Sequence, residues 1–271
     1  MKNEEIVNLN IGGLTVFDAK IKYTETDKKH HFNEIDLHTH DKFEIYVNLD
    51  GDISFFVNDS LYPVSRGEVI VSRPGEQHHC IYRSERKHKL FWILFDCDKN
   101  LDFFDFLKDD FLDNFFSPTP AQSEELLDIC RVLHDEKPSK EETLYLFLRI
   151  FAILKQSKNN QVSPQPSLPD DLTEINHYID QHMSEPLTVS DVCDAFYLSQ
   201  STLERRFKQT LDMTPLEFIR RKKLIFASRL LKDGYSVLQA GINAGYNDNS
   251  YFIELFKRYF GCTPYEYKKR N

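Results

Sequence analysis

Leu198-Ser199-Gln200-Ser201-Thr202-Leu203-Glu204-Arg205-Arg206-Phe207-Lys208 and Gly245-Tyr246-Asn247-Asp248-Asn249-Ser250-Tyr251-Phe252 are the stretches whose reading decides the fold. Each reads as the turn and second helix of a helix-turn-helix. In the first, Leu187-Thr188-Val189 starts a support helix expected to turn Val192 and Ala195 inward. Tyr197-Leu198 make the turn, and Ser199 offers its hydroxyl as N-cap to the next helix. There Leu203 and Phe207, four apart, share the inner face. Ser201, Thr202, Glu204, Arg205 and Gln209 are left outward. In the second, Ser236-Val237-Leu238-Gln239 opens the support helix and Asp248 caps the next one. Tyr251, Phe252, Leu255 and Phe256 include the inner anchors, while Asn249, Ser250, Ile253 and Glu254 project outward.

One such corner is weak evidence, because helical corners are common in all-helical folds. Two in this order, over residues 189–211 and 237–260, are specific. They predict a chain that holds double-stranded DNA across two adjacent major grooves. Arg205 has the fork to grip guanine at two atoms; Asn249 suits adenine, Ile253 a thymine methyl and Glu254 the cytosine amine. Between the motifs, Pro215 to Lys232 reads as one long helix with Phe218, Ile219, Leu224, Ala227, Leu230 and Leu231 at usable spacing. Such a helix would set the two readers about one DNA turn (~34 Å) apart. The run Arg220-Arg221-Lys222-Lys223 beside it is either a solvated face or a phosphate contact.

A net charge of −9 is the wrong sign for DNA until its distribution is read. From Ser201 onward there are 14 Lys and Arg against 7 Asp and Glu; the rest of the chain carries 20 against 36. Local charge governs phosphate binding, since screening acts over roughly 8 Å at physiological salt. The acidic remainder argues against a non-specific DNA-packaging protein. Five scattered cysteines without a CxxC pair read as reduced thiols rather than a disulfide frame or zinc site. The longest apolar stretches, such as Leu90 to Phe95, fall short of a membrane span, and Met1-Lys2-Asn3-Glu4-Glu5 opens no signal peptide. A cytoplasmic protein with no membrane partner is expected. No catalytic triad, phosphate loop or carboxylate pair stands out.

Gln156 to Asp171, with three prolines, reads as a linker. Before it, Phe43–Val47 and Ile53–Val57 alternate about a turn at Leu49-Asp50-Gly51-Asp52; Glu68–Ser72, His79–Tyr82 and Leu90–Phe95 are further strands. Short strands at this spacing predict a sandwich or small barrel. Glu124–His134 and Glu141–Lys155 then carry helical stripes (Leu126, Leu127, Cys130, Leu133; Leu144, Phe147, Leu148, Phe151, Leu154), with Ser139 as N-cap between them. That hairpin packs on the barrel or forms a dimer seam. The acidic, Phe-rich stretch Leu101 to Phe116 has no assigned place.

Residues 172–270 resemble the DNA-binding domain of the AraC/XylS family of bacterial transcription regulators. The resemblance rests on the two stretches quoted above and on Phe256-Lys257-Arg258-Tyr259-Phe260-Gly261-Cys262-Thr263-Pro264-Tyr265-Glu266-Tyr267-Lys268. The sequence departs from the family pattern at Asp212, usually Gly; at Ala240-Gly241, usually a large aliphatic followed by Ala; and at Glu254, frequently Arg. Gly241 is expected to loosen its helix, and Glu254 to weaken the second reader.

His38-Thr39-His40, Glu44, Gly51, Gly67, Pro74-Gly75 and His78 resemble the motifs of the cupin barrel, which AraC-type regulators often carry as effector domain. On a strand, His38, His40 and Glu44 would share one face with Tyr46 and Asn48, and a loop would bring His78 across. Three readings stay open: a solvent-exposed polar face, a pocket for a small polar ligand, or a divalent metal held by His38, His40, Glu44 and His78.

The sequence therefore predicts a multi-domain chain: an all-β cupin-like barrel (1–98), a helical dimerisation segment (99–158), a linker (159–171) and an all-α tandem helix-turn-helix domain (172–271). It is expected to be a homodimeric DNA-binding regulator and not an enzyme, with no cofactor. His38, His40, Glu44, Tyr46 and His78 would form the effector site. Resemblance implies a small-molecule effector, a sugar, and activation through RNA polymerase rather than repression. Effector binding would favour one arrangement of barrel and hairpin. The alternative is a metal-dependent cupin enzyme with a regulatory helical tail, which a stoichiometric metal lost on His38→Ala would favour.

Overall fold

Every side chain from Phe43 to Asn48 is buried, although successive residues of a strand point to opposite faces. Both faces of this strand are therefore covered, and the N-terminal fold is organised around it. The computed structural model describes residues 3–11, 14–26, 37–58, 60–97, 105–108, 114–136, 138–157 and 168–270. The chain divides into two compact units, Met1–Pro166 and Ser167–Asn271.

The first unit begins with two long strands, β1 (Asn3–Ile11) and β2 (Leu14–Thr26). It continues through β3 (Phe43–Asp50), β4 (Ile53–Val57), β5 (Ser60–Val64), β6 (Val69–Ser72), β7 (His78–Tyr82) and β8 (His88–Cys97). A short helix α1 (Asp105–Lys108) and a two-residue strand β9 (Phe115–Phe116) follow. One sheet has the order β1-β2-β8-β3-β6-β9 and the other β5-β4-β7, antiparallel throughout. Tyr46, Ile70, Leu90 and Phe115 from the larger sheet share a core with Phe55, Val57, Tyr62, Cys80 and Tyr82 from the smaller. This is the two-sheet, sheet-rich arrangement that the strand spacing predicts, and it agrees with the cupin-like fold that the resemblance implies.

The other face of the larger sheet carries Phe43, Ile45, Val47, Phe91, Ile93 and Phe95. It is covered by α2 (Pro120–Asp135) and α3 (Lys140–Ser157) through Leu126, Ile129, Cys130, Leu133, Phe147, Ile150, Phe151 and Leu154. Burying each such side chain is worth about 1.5–3 kcal/mol, which favours docking the hairpin on the sheet. Leu148, read as part of the stripe, instead lies 42% exposed beside Tyr145 at 67%. Ser139 caps α3, accepting from Glu142 N while the Glu142 carboxylate accepts from Ser139 N. Of the stretch Leu101 to Phe116, residues 101–104 and 109–113 lie outside the described residues. Phe106, Leu107 and Phe116 join the outer core, and Phe115 pairs with Ile70 inside the barrel.

The linker expectation is narrowed at both ends. Residues 158–167 lie outside those described, but Gln156 and Ser157 close α3, and Asp170-Asp171 open α4 (Asp170–Gln181). The rest of the second unit is helical: α5 (Val189–Ala195), α6 (Gln200–Leu211), α7 (Pro215–Lys232), α8 (Val237–Asn243), α9 (Asn249–Phe260) and α10 (Pro264–Arg270). Capping explains why the breaks fall where they do. Thr188, Ser199, Thr214, Ser236, Asp248 and Thr263 each accept from a backbone N–H of the following turn. The two reading helices end alike, in left-handed residues Asp212 and Gly261. Next come Met213-Thr214-Pro215-Leu216-Glu217 and Cys262-Thr263-Pro264-Tyr265-Glu266, so a repeated stop-and-restart signal is written into the chain. The long helix α7 runs between them and contacts α6, α8, α9 and α10.

One helical expectation fails in detail. Ala195 is exposed, and Cys193 takes the inner position beside Val192, because seven residues turn only one narrow stripe toward the core.

Candidate functional site

Two surfaces carry chemistry, one in each unit. In the N-terminal unit the ligating atoms of His38, His40, Glu44 and His78 all lie within 4.8 Å of one another. Three chain segments bring them there. Glu44 points inward from β3, and His78 opens β7. His38 forms an isolated bridge with His78, each N–H donating to the other's carbonyl at 3.0 and 2.9 Å. The strand begins only at Phe43, so His38 and His40 do not share a continuous strand with Glu44 as the sequence pattern suggested. A bend at Asp41-Lys42 folds His40 back instead.

Glu44 Oε2 is the hub, 3.0 Å from His40 Nε2 and 2.7 Å from His78 Nε2. His78 is fully buried and Glu44 nearly so. Burial opposes ionisation of Glu44, but the hydrogen bonds and charges of His40 and His78 outweigh it and hold the carboxyl well below the usual range. Tyr46 lies on the same face of β3 but does not join the group. Its ring packs 5.0 Å from Trp92 and 4.6 Å from Phe55, and Phe55 in turn stacks on His78 at 6.2 Å. The solvent-exposed reading of this face is excluded, because Glu44, Tyr46 and Asn48 are all buried. Three imidazoles and a carboxylate at this spacing can hydrogen-bond a polar ligand or ligate a metal ion.

In the C-terminal unit, Ser201, Glu204, Arg205 and Gln209 are exposed on α6 and Thr202 is half-buried. The Ser201 and Thr202 hydroxyls gather on the cap, 3.1 and 2.8 Å from Ser199 Oγ, and Gln200 donates to Glu204 at 2.9 Å. Arg205 has no ion pair among the described residues. Its neighbour Arg206 is tied back to Asp171 at 2.6 Å. On α9, Asn249, Ser250 and Glu254 are exposed, and Glu254 accepts from Arg258 at 2.6 Å. Ile253 departs from expectation: it is half-buried and packs against the core of Leu224, Phe252 and Phe256. Tyr251, read among the inner anchors, is 41% exposed in its place. The sequence reading placed Tyr197 in the turn before α6 but gave it no surface role; it is 96% exposed with φ +54°. A large aromatic at a left-handed turn position was the available signal.

The basic run on α7 is neither of the two things proposed for it as a whole. Lys222 and Lys223 are buried. Lys222 donates to Asn176 Oδ1 and to Asp180 Oδ2, and its ammonium lies over the Phe218 ring. Lys223 donates to the carbonyl of Glu185, and burial pushes its pKa down. At that carbonyl the chain also passes Gly245, φ +73°, where an added Cβ would overlap Glu185 O at 2.1 Å. Only Arg220 and Arg221 of the run keep partial exposure.

Among the described residues no helix is long and apolar enough to cross a membrane. The AraC-like ligand binding domain family matches residues 23–161, and a helix-turn-helix domain family matches 192–270. The chain is 28% identical over 257 residues to the HTH-type transcriptional activator RhaR of Mannheimia succiniciproducens, covering 90% of this chain and 91% of that one. It is 25% identical over 243 residues to the HTH-type transcriptional activator RhaS of Salmonella schwarzengrund, 84% and 85% of the two chains. Among solved structures, ToxT of Vibrio cholerae O395 aligns over 93% of this chain and 97% of its own, with a TM-score of 0.39 and 14% identity.

Proposed function

The chain belongs to the AraC family of transcription regulators, and from that premise we propose that it is an activator whose N-terminal barrel senses a small polar molecule, a sugar, and whose two reading helices bind paired sites on double-stranded DNA. The relatives are transcription activators and not enzymes, so the catalytic alternative falls away. The observation that carries the proposal is the pairing of two helices of equal length, α6 and α9. Each is capped by a short polar side chain and presents exposed polar residues in its first turns. A recognition helix uses that part of its surface on base edges.

Arg205 is the proposed base-contacting residue of the first reader, with Ser201, Thr202, Glu204 and Gln209 around it. Asn249, Ser250 and Glu254 serve the second, with Ile253 as a marginal apolar contact. The effector site is built on His38, His40, Glu44 and His78, with Tyr46 as wall rather than donor. The protein acts as a homodimer in the cytoplasm, and Tyr145 and Leu148 on the outer face of α3 supply apolar surface for the dimer. Effector binding favours one arrangement of barrel and hairpin and so changes how the two DNA-binding units are offered to their sites and to RNA polymerase.

The test is selection from a random-sequence duplex pool by the full-length protein at fixed salt, with and without a panel of sugars. Enrichment of a motif with two reading positions about one turn (~34 Å) apart supports the proposal. A sugar-dependent change in affinity supports the effector assignment. Failure of the folded protein to enrich any sequence would overturn it.

A further inference from the structure

We propose that Tyr251 sets the sequence preference of the second reading helix, its ring lying against the C5-methyl group of a thymine in the major groove. The proposal rests on the DNA-binding reading above and adds to it a residue whose sequence position suggested an inner anchor. The two readers are internal repeats that match position by position. Both are 12 residues long and run from a cap, Ser199 or Asp248, to a left-handed residue, Asp212 or Gly261. Counted from the caps, Leu203 matches Phe252 and Phe207 matches Phe256, and all four are buried. The same count pairs Arg205 with Glu254, Gln209 with Arg258, Glu204 with Ile253 and Thr202 with Tyr251.

These pairs locate the difference between the readers. Arg205 has no ion pair among the described residues, whereas its counterpart Glu254 is engaged by Arg258 at 2.6 Å, and Ile253 is packed on the core. Thr202 closes its own cap, 2.8 Å from Ser199 Oγ. Tyr251 is released from that task, because Asp248 Oδ1 accepts from Ser250 N at 2.8 Å and from Tyr251 N at 3.1 Å. Its hydroxyl makes no hydrogen bond among the described residues. The side chain is 41% exposed in the first turn, the part of a reading helix that meets base edges. It is also held in place. Its ring stands 6.4 Å from that of Tyr246 at 59°, within the range of aromatic pairs. Tyr246 is itself buried, its hydroxyl donating to the Arg220 carbonyl at 3.4 Å and the Lys223 ammonium lying 6.0 Å from its ring. A tyrosine supported in this way offers rigid apolar area at low entropic cost. Thymine alone among the bases presents a methyl group in the major groove, and apolar side chains read it. Asn249 and Ser250 are left for hydrogen bonds.

The test uses the full-length protein and the site enriched from the duplex pool. The half-site read by α6 is the one where Arg205→Ala relaxes discrimination; the other belongs to α9. Each thymine of that second half is replaced in turn by deoxyuridine, which removes the methyl group and nothing else. At one position the wild type should bind about four-fold more weakly, the worth of one methyl group taken out of water. Tyr251→Ala should bind the two duplexes alike. Tyr251→Phe should keep the difference, because the ring and not the hydroxyl carries it. Neither variant should change the response to deoxyuridine in the first half. A merely structural role would lower the melting temperature and the affinity for every duplex while leaving methyl discrimination in place, and that result overturns the proposal. So does a wild type indifferent to every deoxyuridine in the second half. Failure to enrich any sequence removes the DNA-binding reading and this one with it, whereas an enriched site bound without regard to methyl groups overturns the role of Tyr251 alone.

Discussion

Lys222 and Asp180 face each other at 2.7 Å between α7 and α4, with the ammonium almost wholly withdrawn from solvent. A cation that a sequence reader would offer to a phosphate is spent on holding helices together. Lys222→Ala should therefore act on stability: it strands the buried Asn176 oxygen, at a cost of about 1–3 kcal/mol. Thermal unfolding of the variant should start lower. DNA affinity of the folded protein at low temperature, and its dependence on salt, should not move. A shallower salt dependence would place Lys222 on a phosphate instead.

Arg205→Ala should behave in the opposite way. The side chain is exposed and makes no hydrogen bond or ion pair among the described residues, so the melting curve should stay put. Specific DNA binding should weaken by about 1–3 kcal/mol, with discrimination relaxed at one base pair. Competition binding against single-base variants of the selected site reads this directly.

Glu254 holds Arg258 four residues on in the second reading helix, both side chains largely exposed. Such a pair adds little stability, but it occupies a cation that could meet phosphate. Glu254→Gln should raise affinity for duplexes of any sequence and steepen the slope of log K against log salt by about 0.9, one released counterion. An unchanged slope would mean that Arg258 points away from the DNA.

Gly241 is the position where the family pattern suggested a looser helix, and the structure gives a different account. A Cβ there would stand 2.8 Å from the ring of Phe252, which is fully buried. The glycine lets α8 and α9 approach closely. Gly241→Ala gains about 1 kcal/mol of helix propensity but must push the ring aside, at about 1–3 kcal/mol. Net destabilisation and weaker DNA binding are expected from thermal melts and titrations. A more stable variant would show that Phe252 has room to move.

What the sequence made legible was whatever rests on local grammar. The breaks at Ser199 and Asp248, the long helix from Pro215 and the turn at Gly51 follow from caps, proline and apolar period. Burial of charge was not legible. Four consecutive cations look alike on paper, and only the helical angle between Arg221 and Lys222 decides that Lys222 meets Asn176 while Arg221 lies over the Tyr259 ring with partial exposure. The distal pieces of the barrel were equally hidden: Phe115 and Phe116 are strand only because β6 offers an open edge to pair with. At the histidine cluster the residue types were visible, but the bend at Asp41-Lys42 that turns His40 back onto Glu44 left no period to read.

The burial of β3 on both faces has a mechanical consequence. Glu44, Tyr46 and Asn48 look into the barrel, while Phe43, Ile45 and Val47 press on the helical hairpin, all within six consecutive residues. Interiors packed to crystal density do not absorb a displaced strand quietly. A ligand that tugs on the Glu44 side of this ribbon by a fraction of an ångström must reseat the phenyl ring and methyl groups on its reverse. The strand is a single sheet of paper written on both sides, and whatever is impressed on one is embossed on the other.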